Sequence, residues 1–370
     1  MALQTLSRER LNRATLARQM LLAREELDPP EAVARLAGLQ AQEPKPPFIG
    51  LWSRLAGFER AELIGALRSR TVVRATLMRA TLHLLDPAGY LTMRACLQPM
   101  LDASMKSALR DRSQGLDLDR LLPAARELLA ERPRAFDELR EDLSQRFPEM
   151  NDRAIGYAIR TQIPLVMVAS EDRWGFPRGS QFALAEEWLG EPVDQEAGLG
   201  PIIRRYLGAF GPASAADFGR WSGLNGAKAA FEELREELFA CRDERGRALF
   251  DLPDSPRPDA AEAAPARLLP EFDNLMLAHD DRSRVVADEH RKGLVTKNLR
   301  VKATFLVDGF AAGTWRIERK GKRATLAMMP FEPLPKRARA GLAEEAAALL
   351  AFAEPEASAT DVSFAEPGSA

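Results

Sequence analysis

The sequence predicts an α+β fold in which helix-rich units repeat before a smaller strand-rich domain, and three observations lead there. Helical periodicity dominates the first half of the chain. An order of helices followed by short strands recurs along it, and beyond Pro265 the pattern turns to alternation punctuated by glycine turns. At 370 residues, 46% hydrophobic and 29% charged, the chain has a globular composition and is too long for one ordinary domain.

The first unit, 1–105, opens with apolar residues at three-and-four spacing over 8–22 and 31–40, with a stop and restart at Asp28-Pro29-Pro30. A proline-rich break at 44–47 precedes a helical stretch at 58–68. Residues 71–85 are rich in Thr, Val and Leu without a helical stripe and read as strand. The same order returns in 106–192, with helices at 121–131 and 136–147 and a third running from an Asn151 cap to 162. Strands at 165–169 and 182–184 then flank a turn-rich loop, 170–180, that reads as a β-wing. A third copy, 193–252, has helices ending at Phe210, over 214–221 and over 227–238, then a turn at Glu244-Arg245-Gly246 and a strand at 248–252. Helices followed by a strand wing is the order of a winged helix-turn-helix, so tandem winged-helix domains are expected.

Residues 253–265, with four prolines, read as a linker. Strands at 283–287, 299–307, 312–318 and 323–329 alternate around hairpin turns at Asp308-Gly309 and Lys320-Gly321, which predicts a small C-terminal β-barrel over 266–335. An Ala-rich helix, 336–353, follows, and the acidic tail 354–370 reads as disordered.

Formal net charge is only −2, but it averages unlike regions. From Arg291 to Arg323 ten basic residues face only Asp308 and Glu318, a local net of +8, whereas the tail carries Glu354, Glu356, Asp361 and Glu366 without a Lys or Arg. Such a patch is either a solvated face or a phosphate-binding one. The longest apolar run, 346–353, is far short of a membrane span, and the arginine-bearing first twenty-five residues lack a signal-like apolar stretch, so a cytoplasmic protein is expected. Cys96 and Cys241 form no metal-like or disulfide spacing. His83, His279 and His290 are the only histidines and their spacing gives no metal site, and the phosphate-loop, dinucleotide, HExxH and GxSxG motifs of common enzymes are absent.

Four segments carry a resemblance: Leu39-Gln40-Ala41-Gln42-Glu43; Arg79 to Leu85; Leu269-Pro270-Glu271-Phe272-Asp273-Asn274 with His279 and Asp281-Arg282; and Thr304 to Phe310 through Gly313-Thr314-Trp315. In this order and spacing they resemble the AlkZ-like family of bacterial winged-helix DNA glycosylases, over most of the chain. The resemblance implies that Gln40 and Gln42 are the catalytic pair, that a β-hairpin of the last domain engages DNA, and that double-stranded DNA with alkylated purines is the partner. An alkylated purine is already a cationic leaving group, so no metal or organic cofactor is implied, and what remains is to place a water and steady a positive sugar. Two carboxamides can do this without being strong bases. On a helix, residues two apart point about 200° apart, so the helix is expected to end at this pair.

Arg79, Thr81 and His83 would share one face of an extended strand and meet DNA there; His83 reads equally as a hydrogen-bonded interior histidine. Arg319, Lys320, Lys322 and Arg323 are candidate phosphate contacts, with Arg173 and Arg178 of the second wing as lesser ones. His279 reads as structural and Trp174 as packing. The expected function is thus a monomeric, monofunctional glycosylase acting on bulky N7-alkylpurines and on interstrand crosslinks. The rival is a non-enzymatic winged-helix regulator, in which the Gln pair is incidental and winged-helix dimers read sequence.

Overall fold

Proline placement decides how the first unit begins. In the computed structural model, which describes residues 3–296 and 300–368, Asp28 caps the helix Pro29–Arg35 by accepting from Glu31 N–H at 2.8 Å, with proline in the first turn where no amide is needed. The helix expected to reach residue 40 stops at Arg35, because Ala37 (φ 54°) and Gly38 (φ 91°) turn the chain into the strand Leu39–Gln40. Gly38 is obligatory here: a Cβ would lie 2.8 Å from the Leu84 carbonyl oxygen. The expected break at 44–47 is instead the start of a helix, Lys45–Trp52, whose prolines occupy the first turn. The helices Pro87–Cys96 and Gln98–Leu109 were not anticipated.

Elsewhere local signals and elements coincide closely. Asn151 accepts from Arg153 and Ala154 N–H at the start of Asp152–Gln162, and Ser214 closes a capping box with Asp217 ahead of Ala215–Ser222. The second unit has its own core, built on Leu121, Leu139, Leu143, Ile155 and Ile159. The first and third units share one, in which Tyr90, Tyr206, Phe210 and Trp221 meet.

Three open sheets tie distant parts of the chain together. The first is antiparallel and six-stranded, in the order Leu39–Gln40, Leu82–Leu85, Val73–Thr76, Leu165–Met167, Gln181–Leu184 and Arg134–Ala135. Its middle rungs, Arg74 opposite Met167 and Ala75 opposite Val166, join strands of the first two units into one sheet. In the second sheet, Gln4–Leu6 runs parallel to Phe239–Asp243, which pairs in turn with Ala248–Asp251.

The third sheet corrects the expected barrel. Its strands Arg267–Leu269, Thr304–Val307, Phe310–Lys320, Arg323–Pro330 and Ala359–Phe364 form a linear order that does not close. The helix Lys336–Ala353 covers one face, with Leu342, Ala346, Leu349 and Leu350 packed on Phe305, Leu326 and Met328, so the apolar surface is hidden without closure. The tail expected to be disordered contains a strand: Ala359–Phe364 pairs in parallel with Arg323–Pro330, setting Val362 opposite Leu326 and Phe364 opposite Met328. Its acidic composition concealed an alternating strand. Residues 283–287, expected as a strand, form a buried turn whose Val285 carbonyl accepts from Ala311 N–H at 2.8 Å. The strand expected from 299 begins at Thr304; Leu299 and the basic Lys297 lie outside the described residues. Among those described, no helix is long and apolar enough to cross a membrane.

Candidate active site

Gln40 lies on the edge strand of the six-stranded sheet, directly opposite His83. The next residue continues the pairing, Ala41 N–H donating to Leu82 O at 2.7 Å. Arg74, from the next strand but one, holds the following bend: its Nε and Nη2 donate to Ala41 O at 2.9 and 2.7 Å, and Nη2 reaches Gln42 O at 3.3 Å. The strand ends at Gln40 and Gln42 sits in the bend that follows, so the pair is off any helix and the divergence a helix would impose does not apply. Gln40 is buried and Gln42 exposed.

Arg79 sets the orientation of Gln40. Its Nη2 donates to Gln40 Oε1 at 2.8 Å, and because a guanidinium only donates, the amide must turn its Nε2 hydrogens the other way. Arg79 Nη1 donates to the Trp221 carbonyl. Behind it stands His83, whose Nδ1 lies 3.0 Å from Thr81 O and whose Nε2 lies 3.4 Å from Arg79 Nη2. Burial, then the Arg79 charge, push the His83 pKa down to about 3, so the ring is neutral. A neutral ring donates from Nδ1 to Thr81 and leaves Nε2 to accept from Arg79. Burial, with Arg220 and Arg282 nearby, lowers Arg79 itself to about 10, which keeps it cationic at neutral pH.

This geometry corrects the shared strand face. The turn Met78–Ala80, with Arg79 at φ 54° and Ala80 at φ 56°, separates the strands Val73–Thr76 and Leu82–Leu85. Thr81 Oγ1 closes that turn on Met78 O at 3.1 Å, and His83 is fully buried, so His83 is the interior histidine and has no surface to offer DNA. Arg79 and His83 still converge, but on Gln40.

The four segments that carry the resemblance meet here. Asn274 Nδ2 donates to Gly38 O at 2.9 Å, two residues before Gln40. Asp273 makes a bidentate pair with Arg54, both contacts 2.9 Å and both side chains buried. Trp315 Nε1 donates to Leu269 O at 2.9 Å. His279 Nε2 lies 3.0 Å from Phe210 O, and burial with the Arg284 charge lowers its pKa to about 3, which fits a structural role.

The basic candidates divide. Lys320, Lys322 and Arg323 are exposed at the tip of a long hairpin that Gly321 (φ 61°) turns. Arg319 pairs instead with Glu354 at 3.1 Å. Arg173 donates to the Ala353 carbonyl and sits 3.7 Å from the same carboxylate, so it fastens its loop to the end of the last helix rather than facing solvent. Arg178 is exposed. Trp174 packs edge-on against Phe48 at 5.1 Å, under Lys45, Arg60 and Arg173. Glu354 is the anchor of this corner. Burial alone would raise its pKa, but Lys45, Arg173 and Arg319 together hold it below the usual carboxylate range.

Beside Gln42, Glu43 pairs with Arg300 at 3.2 Å at the rim of a cleft of about 420 Å³ whose apolar floor includes Ile49, Pro270 and Trp315. Glu289, His290 and Glu332 bring potential ligand atoms within 4.8 Å of one another on the surface, but His290 also stacks on Phe331. Sequence reasoning missed Arg74 and Arg220, and it met Arg282 only as part of a segment that carries the resemblance, without a role. Their relation to Gln40 exists only once residues far apart in the chain are folded together, and no spacing signals it.

Comparison with known proteins agrees with this architecture. The chain is 29% identical over 328 residues to the interstrand DNA cross-link repair glycosylase of Streptomyces sahachiroi, covering 82% of this chain and 85% of that protein. It shares its fold with the solved structure of Streptomyces sahachiroi DNA glycosylase AlkZ, with a TM-score of 0.80 at 22% identity over 98% of this chain and 100% of that one. The model of the family described as DNA glycosylase AlkZ-like matches residues 33–352, a span that contains the Gln pair, its supporting arginines and the hairpin. On that match, the chain belongs to the AlkZ-like DNA glycosylase family.

Proposed function

We propose that this glycosylase hydrolyses the N-glycosidic bond of bulky N7-alkylpurines in duplex DNA and unhooks interstrand crosslinks formed through such bases. It would act as a monomer on nucleoid DNA in the cytoplasm, its three helical units serving as winged helices and its hairpin tip as a groove contact. The observation that carries this reading is the fixed orientation of Gln40 beside an accessible Gln42.

With one lone pair of Gln40 Oε1 engaged by Arg79, the Nε2 hydrogens are the available donors, suited to a sugar or phosphate oxygen. Gln42 Oε1 accepts only a long bond, 3.3 Å, from Leu82 N–H, and keeps a lone pair for a water. Gln42 then aims the nucleophile while Gln40 holds the nucleotide. The scissile bond breaks towards an oxocarbenium-like sugar, and the Gln42 carbonyl oxygen, the one amide oxygen facing the site, stabilises it through its dipole. Glu43, engaged by Arg300, is not the base in this scheme. A lysine nucleophile is disfavoured as well, because Lys45 pairs with Glu354 at 2.9 Å. The shallow cleft beside Glu43 suits an adduct too large for a closed pocket, and the flanking arginines suit a polyanion.

The test is abasic-site formation on a duplex carrying a single N7-alkylguanine and on a crosslinked duplex. Wild type should release base, and Gln40→Ala/Gln42→Ala should not while still binding DNA. Absence of base release from both substrates, together with tight binding to one undamaged sequence, would instead support a regulator.

A further inference from the structure

Three arginines from separate parts of the chain, Arg79, Arg220 and Arg282, gather around the helix Ala215–Ser222, and Arg79 ties the group to Gln40. At the C-terminal end of that helix the Trp221 carbonyl accepts from Arg79 Nη1, and a Cβ on Gly223 would stand 3.4 Å from the Arg79 backbone. One turn earlier, Asp217 Oδ1 accepts from Asp280 N–H at 2.9 Å, which fixes the segment that leads into Arg282. Arg220 lies between these two anchors and is exposed. Burial first, then the Arg220 and Arg282 charges, lower the pKa of Arg79, and burial with the Arg220 charge lowers that of Arg282, so the three guanidinium groups stand within one another's field. Arg291 adds to the field at Arg282, and only Asp280 opposes it.

This arrangement differs from the other arginines that line the interior. Arg18 and Arg54 each meet a buried carboxylate in bidentate geometry, and Arg74 is capped by two backbone carbonyls. The side chains of Arg220 and Arg282, by contrast, have neither an ion pair nor a hydrogen bond among the described residues, and part of the Arg282 guanidinium, its Nε, is buried in that state. Like charges converging without a counter-ion raise the energy of the free protein, and an arriving anion would relieve it. Guanidinium forks match phosphate geometry in particular.

We propose that Arg220 and Arg282, backed by Arg79, form a binding notch for one backbone phosphate of the lesion-bearing strand, immediately beside Gln40. The proposal rests on the DNA reading above and deepens it by naming the group that registers the strand. The same phosphate shields the developing sugar cation from three nearby positive charges. Without it, the cluster would oppose the transition state that the glutamines serve. Arg79 then links the two halves, one guanidinium touching both the notch and the catalytic amide, so that strand seating and Gln40 orientation are coupled.

The test uses the full-length protein and a duplex carrying a tetrahydrofuran abasic analogue, with uncharged methylphosphonate placed at one linkage at a time around the analogue. Arg220→Gln and Arg220→Gln/Arg282→Gln are compared with Arg337→Gln, an exposed arginine on the last helix. Removing one phosphate contact should flatten the log–log salt dependence of binding by about 0.9. A single methylphosphonate position should weaken wild type and Arg337→Gln yet leave the notch variants unchanged. Equal slopes for wild type and the notch variants, or equal sensitivity at every linkage, would overturn the notch. Because this readout is binding to an unreactive duplex, it stands apart from base release: a wild type that binds with the predicted coupling but releases no base refutes the reaction and not the notch.

Discussion

The buried arginines behind Gln40 and the basic tip of the last hairpin have the same chemistry and opposite circumstances. Behind the glutamine, Arg54 meets Asp273, Arg74 meets the Ala41 and Gln42 carbonyls, and Arg79 meets Gln40 and Trp221, so every fork has an acceptor inside the protein. At the tip, Lys320, Lys322 and Arg323 stand in solvent with no ion pair among the described residues. The first set is spent on internal contacts, whereas the second is left free for the DNA contact proposed above. Residue type does not separate these roles. What faces the cation does, because a desolvated charge must be paired while a hydrated one is free to exchange water for phosphate.

The largest test of that contrast removes a buried partner. Arg54→Ala should cost about 3–5 kcal/mol in chemical denaturation, since Asp273 is left charged and buried. Replacing both residues by apolar ones of similar volume should recover most of the loss; a single variant near wild type would mean that the buried pair does not hold the fold together.

Arg79→Gln sharpens the comparison from stability to catalysis. Losing a charged hydrogen bond worth about 1.5–3 kcal/mol should slow single-turnover base release by roughly ten- to hundredfold, while affinity for an undamaged duplex falls much less. Equal losses in both would place Arg79 with the tip residues.

Acid separates the regions as well. His83 and His279 are neutral when folded, with pKa values of about 3 against an unperturbed 6.5, so below about pH 6.5 the unfolded chain takes up protons that the folded chain refuses. Their contribution is fully present above pH 6.5 and declines as pH falls towards 3, by about 1.4 kcal/mol per pH unit for each ring. His279→Gln should remove one such increment from the pH dependence of the denaturation midpoint. An unchanged pH profile would mean that the ring titrates normally.

The smallest expected effect on the fold is at the tip. Neutralising Lys320, Lys322 and Arg323 together should leave stability within about 0.5 kcal/mol. The same variant should flatten the salt dependence of DNA binding by up to about 2.7, at about 0.9 per phosphate. A tip variant that melts early, or binds DNA with the wild-type slope, would break the comparison from the other side.

What the sequence by itself determined was local. Asn151 and Ser214 cap the helices that follow them, Gly309 and Gly321 turn the hairpins at their expected places, and the Gln-Ala-Gln step falls where helical structure has ended. Each is decided by a few neighbouring residues through capping, backbone freedom or periodicity. The tertiary structure alone decided the rest. It joined the strands of two units in one sheet, opened the expected barrel under a covering helix, and gave the acidic tail a partner strand. It also buried His83, drew Arg173 and Arg319 onto Glu354, and brought Arg79, Arg220 and Arg282 together. Burial and charge pairing depend on residues hundreds of positions apart, so no local pattern can state which arginine will be enclosed and which will be left in solvent.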